Sequence, residues 1–524
     1  MEQTKSKEWL RGRGYPHITN KLGKQDLSIL EKKVENPNWV ARHAFFPLLK
    51  RAQIVRRYKK KGYTDEGESI REHFNHEKNE PNAKIRPIEY ATHIDTVIFS
   101  YYAKEKLLPI YEQKLLDTEG LTDCITAYRR IPVELGGESN KSNIHFAAEV
   151  FEYIKQKGDC VALAFDIESF FPSLDHKILK KAWANLLGNV ALEADHFNVF
   201  KASTRYSYID IDEFRVQKPI KFRRKAGFDE QKLDKLRRQF NIHSFFESAK
   251  EMREAIQNGE ISLRVNNEKK GIPHGLPISS VLANLYLLDF DTKVFEEIAK
   301  PFNAFYRRYS DDIIIVCDTK DYLFIKSFVE STVKQYKLNI SEPKTEVCFF
   351  TSKNGRLNVS REITTLSGQK RIKPNMPLVY LGFEFYGHKT LIKSANLAKF
   401  YRRMKKAVKT NIKHKLKSAT KQGKEDSILF TRKLRRIYTH HGANARKWFI
   451  HKTVYQFDLI ENVYKPQKSE LPTNKKYLGN TLSYAYRAAK IMNEPSIRRQ
   501  FRRHHLIFKK TLDKYLDHQN TEGY

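Results

Sequence analysis

The sequence predicts an α+β protein with strand-forming segments grouped in its middle and helix-forming segments on either side. Three observations carry this reading. Short apolar runs bounded by Gly, Pro, Ser or Asp recur between residues 161 and 390, among them VALAFD, the run around SDDIIIVC, EPKTEVCFF and LVYLGFEFYG. The flanking segments are charged and space their apolar residues by a mixture of three and four. Hydrophobic residues make up 40% and aromatics 12% of the 524 residues, enough for a substantial core spread over about two to four domains.

Taken in order, residues 1–80 are expected to form a charged helical extension, typified by PNWVARHAFFPLLKRAQIVRRYKKKGY. AKIRPIEY is extended and runs into an amphipathic helix ending near YEQKL. VALAFDIESFFPSLDH (161–176) is a buried strand that delivers Asp166 at its carboxyl end, then turns into a helix. The stretch 185–268 is charged and mostly helical, with basic clusters at KPIKFRRK and DKLRRQF. GIPHGLPISSVLANLYLLDFD (271–291) is a Gly/Pro loop feeding an apolar helix, and NAFYRRYSDDIIIVCDT is a hairpin hinged at Asp311 and Asp312. From about residue 392 the pattern is helical again, and residues 401–450 hold sixteen Lys or Arg against two acids.

The charge balance narrows the partners. Ninety-six basic residues against 61 acidic ones leave a formal charge of +35, which calls for a polyanion, by default a nucleic acid. A membrane surface is the weaker alternative, because no run of about 18 apolar residues occurs. The amino terminus has no apolar core of signal-peptide type. Cys124, Cys160, Cys317 and Cys348 are scattered and form no CxxC pair; Cys160 and Cys317 lie in apolar runs and are expected as buried thiols, and a reducing cytoplasm is expected, not a zinc or disulfide framework.

Against that charge, three acids stand at strand ends: Asp166, Asp311 and Asp312. Any one of them is ordinarily a cap or turn residue. Brought together they would repel, and divalent cations relieve such repulsion. Two Mg²⁺ ions held by strand-end carboxylates can activate a 3′-hydroxyl and clamp an attacked phosphate and its leaving pyrophosphate.

The order of motifs over roughly residues 80–400 resembles the bacterial reverse transcriptases. AFDIESFFPSLDH is similar to the family's first catalytic motif, GIPHGLPISSVLAN to its template and nucleotide loop, and RRYSDDIIIV to its Tyr–any–Asp–Asp hairpin. EPKTE and YLGFEF resemble the two motifs that follow. The resemblance implies a right-hand polymerase: fingers and palm with an antiparallel sheet, then an α-helical thumb and C-terminal domain. On this reading fingers occupy 81–160, the first part of the palm 161–184, a fingers insertion 185–268, the second part of the palm 269–390, and a basic helical thumb 391–524.

The same resemblance implies residue roles. Asp166, Asp311 and Asp312 are the catalytic acids, and with Ile167 they hold two Mg²⁺ ions, Mn²⁺ being the alternative. Phe171 stands at the sugar-gate position, where a ring excludes a ribose 2′-hydroxyl; a core Phe is the alternative. His274 and Gly275 belong to the nucleotide loop, although the family usually has Gln where His274 stands and Pro where Ser280 stands. Arg86 in KIRPI and Arg129 in TAYRRIP are expected on the triphosphate, since a guanidinium grips phosphate in bidentate fashion. Lys344 matches the lysine that protonates leaving pyrophosphate. Tyr380, Leu381, Gly382 and Phe383 match the primer grip, with plain core the alternative for the two aromatics.

The flanks extend the resemblance. No nuclease, integrase or RNase H pattern is legible, and a basic helical segment of about 140 residues follows YLGFEF. That architecture, with AYRR…NKSNIHFAAEVFEYI, resembles the abortive-infection and unknown-group reverse transcriptases of antiphage defence. It implies a noncoding RNA template, deoxynucleotides, a DNA product and possible self-association. Untemplated or protein-primed synthesis, an intron or retroelement origin, and a non-catalytic RNA-binding module are the alternatives.

Overall fold

The computed structural model describes residues 7–56, 59–72, 74–75, 80–134, 136–137, 139–216, 227–422, 431–443, 447–450, 453–458, 463–468, 473–476 and 479–521, the segments between 447 and 476 by backbone alone. The basic cluster KPIKFRRK lies outside these residues. The chain divides into two compact units. The first comprises Met1–Arg130, Val161–Val347 and Glu362–Lys373; the second comprises Ile131–Cys160, Cys348–Arg361 and Pro374–Tyr524.

The first unit is built on two sheets. One orders its strands Arg264–Val265, Ser207–Asp210, Leu48–Arg56 and Ala83–Tyr90, the last pair antiparallel with Leu49 opposite Tyr90. Its inner side meets a core of Ile18, Leu49, Ile209, Phe245, Phe246 and Met252, so the insertion at 185–268 and the amino-terminal segment share one apolar cluster. The expectation of a helical extension over 1–80 is corrected here. Among the described residues helices cover Lys24–Val34 and Pro37–Arg42, and strands follow at Leu48–Arg56, Lys59–Tyr63 and Ser69–Glu72. Pro47 keeps Phe46 out of the helical region, and a ladder to a partner more than thirty residues later outweighs local helix preference.

The second sheet of this unit carries the acids. Strand Phe305–Tyr309 pairs antiparallel with Asp312–Cys317, which pairs antiparallel with Cys160–Asp166. Ile313, Ile314, Ile315, Val316 and Cys317 are all buried, as are Val161, Ala162 and Leu163. A strand apolar on both faces must run through the middle of a sheet covered on both sides. Each Ile, Val or Leu among them contributes roughly 1.5–3 kcal/mol by leaving water. Helix Tyr322–Gln335 follows Asp312–Cys317 and buries Ile325, Val329 and Val333. Helix His176–Leu186 follows the strand Cys160–Asp166, with Asp175 accepting from the amides of Lys177 and Ile178 and pairing with Lys337.

In the second unit, helix Asn143–Lys157 presents Phe151 in a stack on Phe385, centroids 4.6 Å apart. A three-stranded sheet, Leu378–Tyr380, Phe383–Phe385 and Thr390–Ile392, supplies Phe385. Residues 348–353 pair with 356–361 around Asn354 and Gly355, whose φ values of 52° and 69° make the two-residue turn that matches strand twist. Helices Ser394–Gln422 and His504–Thr521 meet over Met404, Val408, Ile412 and Phe508. The helical expectation for 391–524 holds there and at Arg432–Tyr438 and Thr481–Ile491. It is corrected at 447–476, where Lys447–Ile450 pairs with Thr473–Lys476 and Thr453–Asp458 with Val463–Lys468. TVYQFD is β-branched and aromatic, the composition that favours a pleated surface. No helix among the described residues is long and apolar enough to cross a membrane, and all four cysteines are buried thiols outside any disulfide.

Candidate active site

The register of two strands assembles the acids. Asp312 stands directly opposite Asp166, and Tyr309 opposite Asp312 across the hairpin. Asp311 occupies the turn, its carbonyl accepting the Ile167 amide at 3.1 Å. Directly opposed like charges destabilise a strand pair, and the chain offsets this with Lys344, whose ammonium is ion-paired with Asp166. Lys344 lies in a one-turn 3₁₀ helix, Glu342–Lys344, placed by the Ser341 amide on the Asp166 carbonyl at 2.8 Å. Thus the backbone on both sides of Asp166 is fixed, by Ser341 and by the Glu168 amide on Asn339.

A set of carboxylate and carbonyl oxygens suits a hard divalent cation. Asp166, Ile167, Asp311 and Asp312 fit such an ion by donor chemistry and by their need for positive charge. Among the described residues no three His, Cys, Asp or Glu side chains converge as a ready ligand cluster; Asp166 is turned to Lys344 instead.

The loop through residues 271–275 is fastened on two sides. Gly271 donates to Leu174 and Ile272 to Phe171, at 2.8 and 3.0 Å, while His176 contacts the Gly271 carbonyl. Gly271 has φ +87°, a conformation that costs glycine little. On the other side the His274 amide donates to Glu89 at 3.3 Å. Gly275 passes so close to the strand Ala83–Tyr90 that a Cβ there would lie 1.9 Å from the Glu89 carbonyl oxygen. Gly275→Ala is therefore expected to force backbone movement costing about 1–3 kcal/mol. A melting temperature equal to wild type would contradict that close approach.

Phe171 and His274 are neighbours, ring centroids 4.6 Å apart and tilted by 35°. Partial burial, then the charge of Arg86, hold His274 below the ordinary imidazole value, and Asp311 pulls the other way. Arg86 is exposed on its strand. Burial pushes the Glu89 carboxyl up, with the His274 amide opposing. Glu89 was not singled out in the sequence, where it is one acid in a mixed strand; its burial comes from the loop that crosses it.

Arg129 does not join this group, which corrects the expectation that it holds triphosphate. Its side chain is only 4% exposed and forks onto Glu112, with further bonds to the carbonyls of Thr122 and Ile125 and the Thr122 hydroxyl. A guanidinium with its donors spent inside the fold has none left for a ligand. Sequence shows the charge of an arginine and not its burial.

Tyr380, Leu381, Gly382 and Phe383 belong to the second unit and form a tight hairpin, Tyr380 opposite Phe383, with both rings buried. Leu381 and Gly382 have φ values of 43° and 92°. The unusual Leu381 conformation is held by Asn143, whose amide donates to the Leu381 carbonyl at 3.1 Å and to the Tyr484 hydroxyl at 2.9 Å. The stretch NKSNIHFAAEVFEYI therefore supports the YLGF hairpin.

Residues 172–385 match the family described as reverse transcriptase (RNA-dependent DNA polymerase). The match begins beyond Asp166 and Phe171 and takes in Asp311, Asp312 and residues 380–383. No curated protein matches the chain. Among solved structures, the chain is similar to apo telomerase from Candida tropicalis, with TM-score 0.35 and 12% identity over 73% of this chain and 57% of that one. It is likewise similar to telomerase from Candida albicans in complex with a TWJ fragment of telomeric RNA, with TM-score 0.35 and 12% identity over 77% and 58%. The chain thus spans less than two thirds of these relatives' length. Over residues 172–385 the chain is thus similar to the reverse transcriptase family, described as RNA-dependent DNA polymerases.

Proposed function

We propose that the whole chain is an RNA-templated DNA polymerase that makes cDNA from deoxynucleotides. The observation that carries this reading is the pairing of Asp312 with Asp166 at the mouth of a buried sheet, with Asp311 in the adjoining turn. When bound, two Mg²⁺ ions held by Asp166, Asp311, Asp312 and the Ile167 carbonyl supply activation of a primer 3′-hydroxyl and charge neutralisation at the leaving pyrophosphate.

The chain's own groups do the rest. Arg86, exposed on the strand that flanks the nucleotide loop, binds triphosphate oxygens. Lys344, already beside Asp166, donates a proton to the departing pyrophosphate. The YLGF hairpin holds the primer end. Phe171, braced by His274, excludes a 2′-hydroxyl. Phe171→Ala is expected to raise incorporation of ribonucleotides relative to deoxynucleotides by about 10- to 200-fold, the range that pocket shape alone supports. The ratio of kcat/KM for a matched ribo- and deoxynucleotide measures it, and an unchanged ratio would reduce Phe171 to a packing residue.

We propose further that the template is a noncoding RNA and that the protein serves antiphage defence in the cytoplasm, with self-association through the basic tail. The net charge of +35 supports RNA binding, since Lys and Arg neutralise phosphates without reading sequence. Exposed His440 and His441 beside Arg432–Tyr438 offer rings for stacking on unpaired bases. Untemplated or protein-primed synthesis is the second reading. Sequencing of the nucleic acid that copurifies, set against the DNA product, separates the two: a product complementary to the retained RNA supports templated synthesis, and one unrelated to it supports the second reading.

A further inference from the structure

The turn that carries Asp311 is strained. Ser310 is 4% exposed and has φ +61°, in the left-handed region, where a side chain other than glycine's costs about 1–3 kcal/mol unless its surroundings hold it. Two groups hold it. The Arg308 guanidinium donates to the Ser310 carbonyl at 3.1 Å, and the Tyr128 hydroxyl lies 3.0 Å from the Ser310 hydroxyl. Tyr128 is itself left-handed, at φ +64°.

The segment that presents Tyr128 is tied to the same strand. Thr126 donates its amide and its hydroxyl to the Arg308 carbonyl, at 3.0 and 3.1 Å. Asn284 donates to the Ala127 carbonyl at 2.9 Å while accepting from Arg308. Residues 126–128 and 308–310 thus form one hydrogen-bonded frame, with Asp311 next along the chain. Arg308 is part of the buried architecture. Tyr128 is not: the residue is 45% exposed, and its hydroxyl contact is the component that can be removed without emptying a core.

We propose that Tyr128 is a positioning residue for polymerisation: its hydroxyl pins Ser310 in the left-handed turn and thereby aims the Asp311 carboxylate. This rests on the polymerase reading for its consequence and on the turn geometry for its cause. A group displaced by 1 Å at a reacting centre costs rate out of proportion to the energy that held it. The loss falls on kcat, because Tyr128 acts through Asp311, and leaves nucleotide KM nearly as it was.

The test uses the full chain as wild type, Tyr128→Phe, Ser310→Ala and the double variant. Tyr128→Phe is expected to lower kcat by about five-fold, the worth of one neutral hydrogen bond, with KM for deoxynucleotide changed by less than about two-fold. The double variant is expected to be no slower than the worse single one, since both delete the same bond. Hydrogen exchange of peptides spanning 305–317 in metal-free protein is expected to quicken in Tyr128→Phe and in no peptide remote from it. Wild-type kcat in Tyr128→Phe, or losses that multiply in the double variant, would overturn the proposal. A wild type that incorporates no nucleotide overturns the polymerase reading instead. The exchange arm then decides the turn on its own: unchanged exchange at 305–317 sinks the positioning role, and quickened exchange upholds the frame.

Discussion

Arg308→Met is expected to destabilise the first unit by about 3–5 kcal/mol, the cost of stranding a buried charge by removing its partner. Arg308 and Asp291 are both fully buried and joined as a fork, Nε to Oδ1 at 2.7 Å and Nη2 to Oδ2 at 2.5 Å, with Tyr306 donating to Oδ1 at 2.6 Å. Methionine would leave the Asp291 carboxylate with Tyr306 as its donor and no opposite charge, and would take the guanidinium from the Ser310 carbonyl. Urea unfolding of the full chain, followed by a probe in the first unit, measures the loss. The double variant Arg308→Met/Asp291→Leu is expected to recover much of it, because no buried charge is then left unpaired. A single variant as stable as wild type would mean that the pair contributes nothing to the hairpin.

Asp311→Asn is expected to lower nucleotide incorporation by at least about a thousand-fold while leaving the fold at wild-type stability or slightly above. The carboxylate is asked to help hold charge worth several kcal/mol in the transition state, and each 1.36 kcal/mol is a factor of ten. The backbone of Asp311 keeps its bond to Ile167, so the turn survives the change. Removing one of three neighbouring negative charges relieves repulsion. Paired measurement of incorporation and thermal melting checks both halves. A slow variant that also melts early would point to lost structure, and a fast one would remove Asp311 from the chemistry.

The hairpin that carries Asp311 and Asp312 was legible because its signals agree: an apolar run long enough for one strand, two acids at its mouth, and an earlier strand ending in a third. What holds that hairpin was not singled out, although period-two alternation contained it. If Tyr306 faces inward, Arg308 must do so too, and a buried arginine needs an acid; that acid, Asp291, lies on a helix fifteen residues before Tyr306. Arg129 misled for the converse reason, since its enclosure comes from Glu112 and Thr122 and leaves no mark in TAYRRIP. The amino-terminal strands were missed because their stability lies in a ladder to distant residues. The turn at Asn354–Gly355 carried an explicit signal, the dipeptide that accepts two positive φ values. Leu381 carried none, its left-handed conformation being imposed by Asn143 from another helix. The strands after residue 447 were hidden by the surrounding charge, which says nothing of backbone.

The most direct measurement uses the purified chain with the nucleic acid it retains, Mg²⁺ and one labelled deoxynucleotide at a time, followed by DNase, RNase or protease digestion of the product. Metal-dependent label in a DNase-sensitive product, absent from Asp311→Asn, is the predicted result. Label that persists undiminished in Asp311→Asn, or no label in wild type when an RNA template and annealed DNA primer are also supplied, would contradict the polymerase assignment.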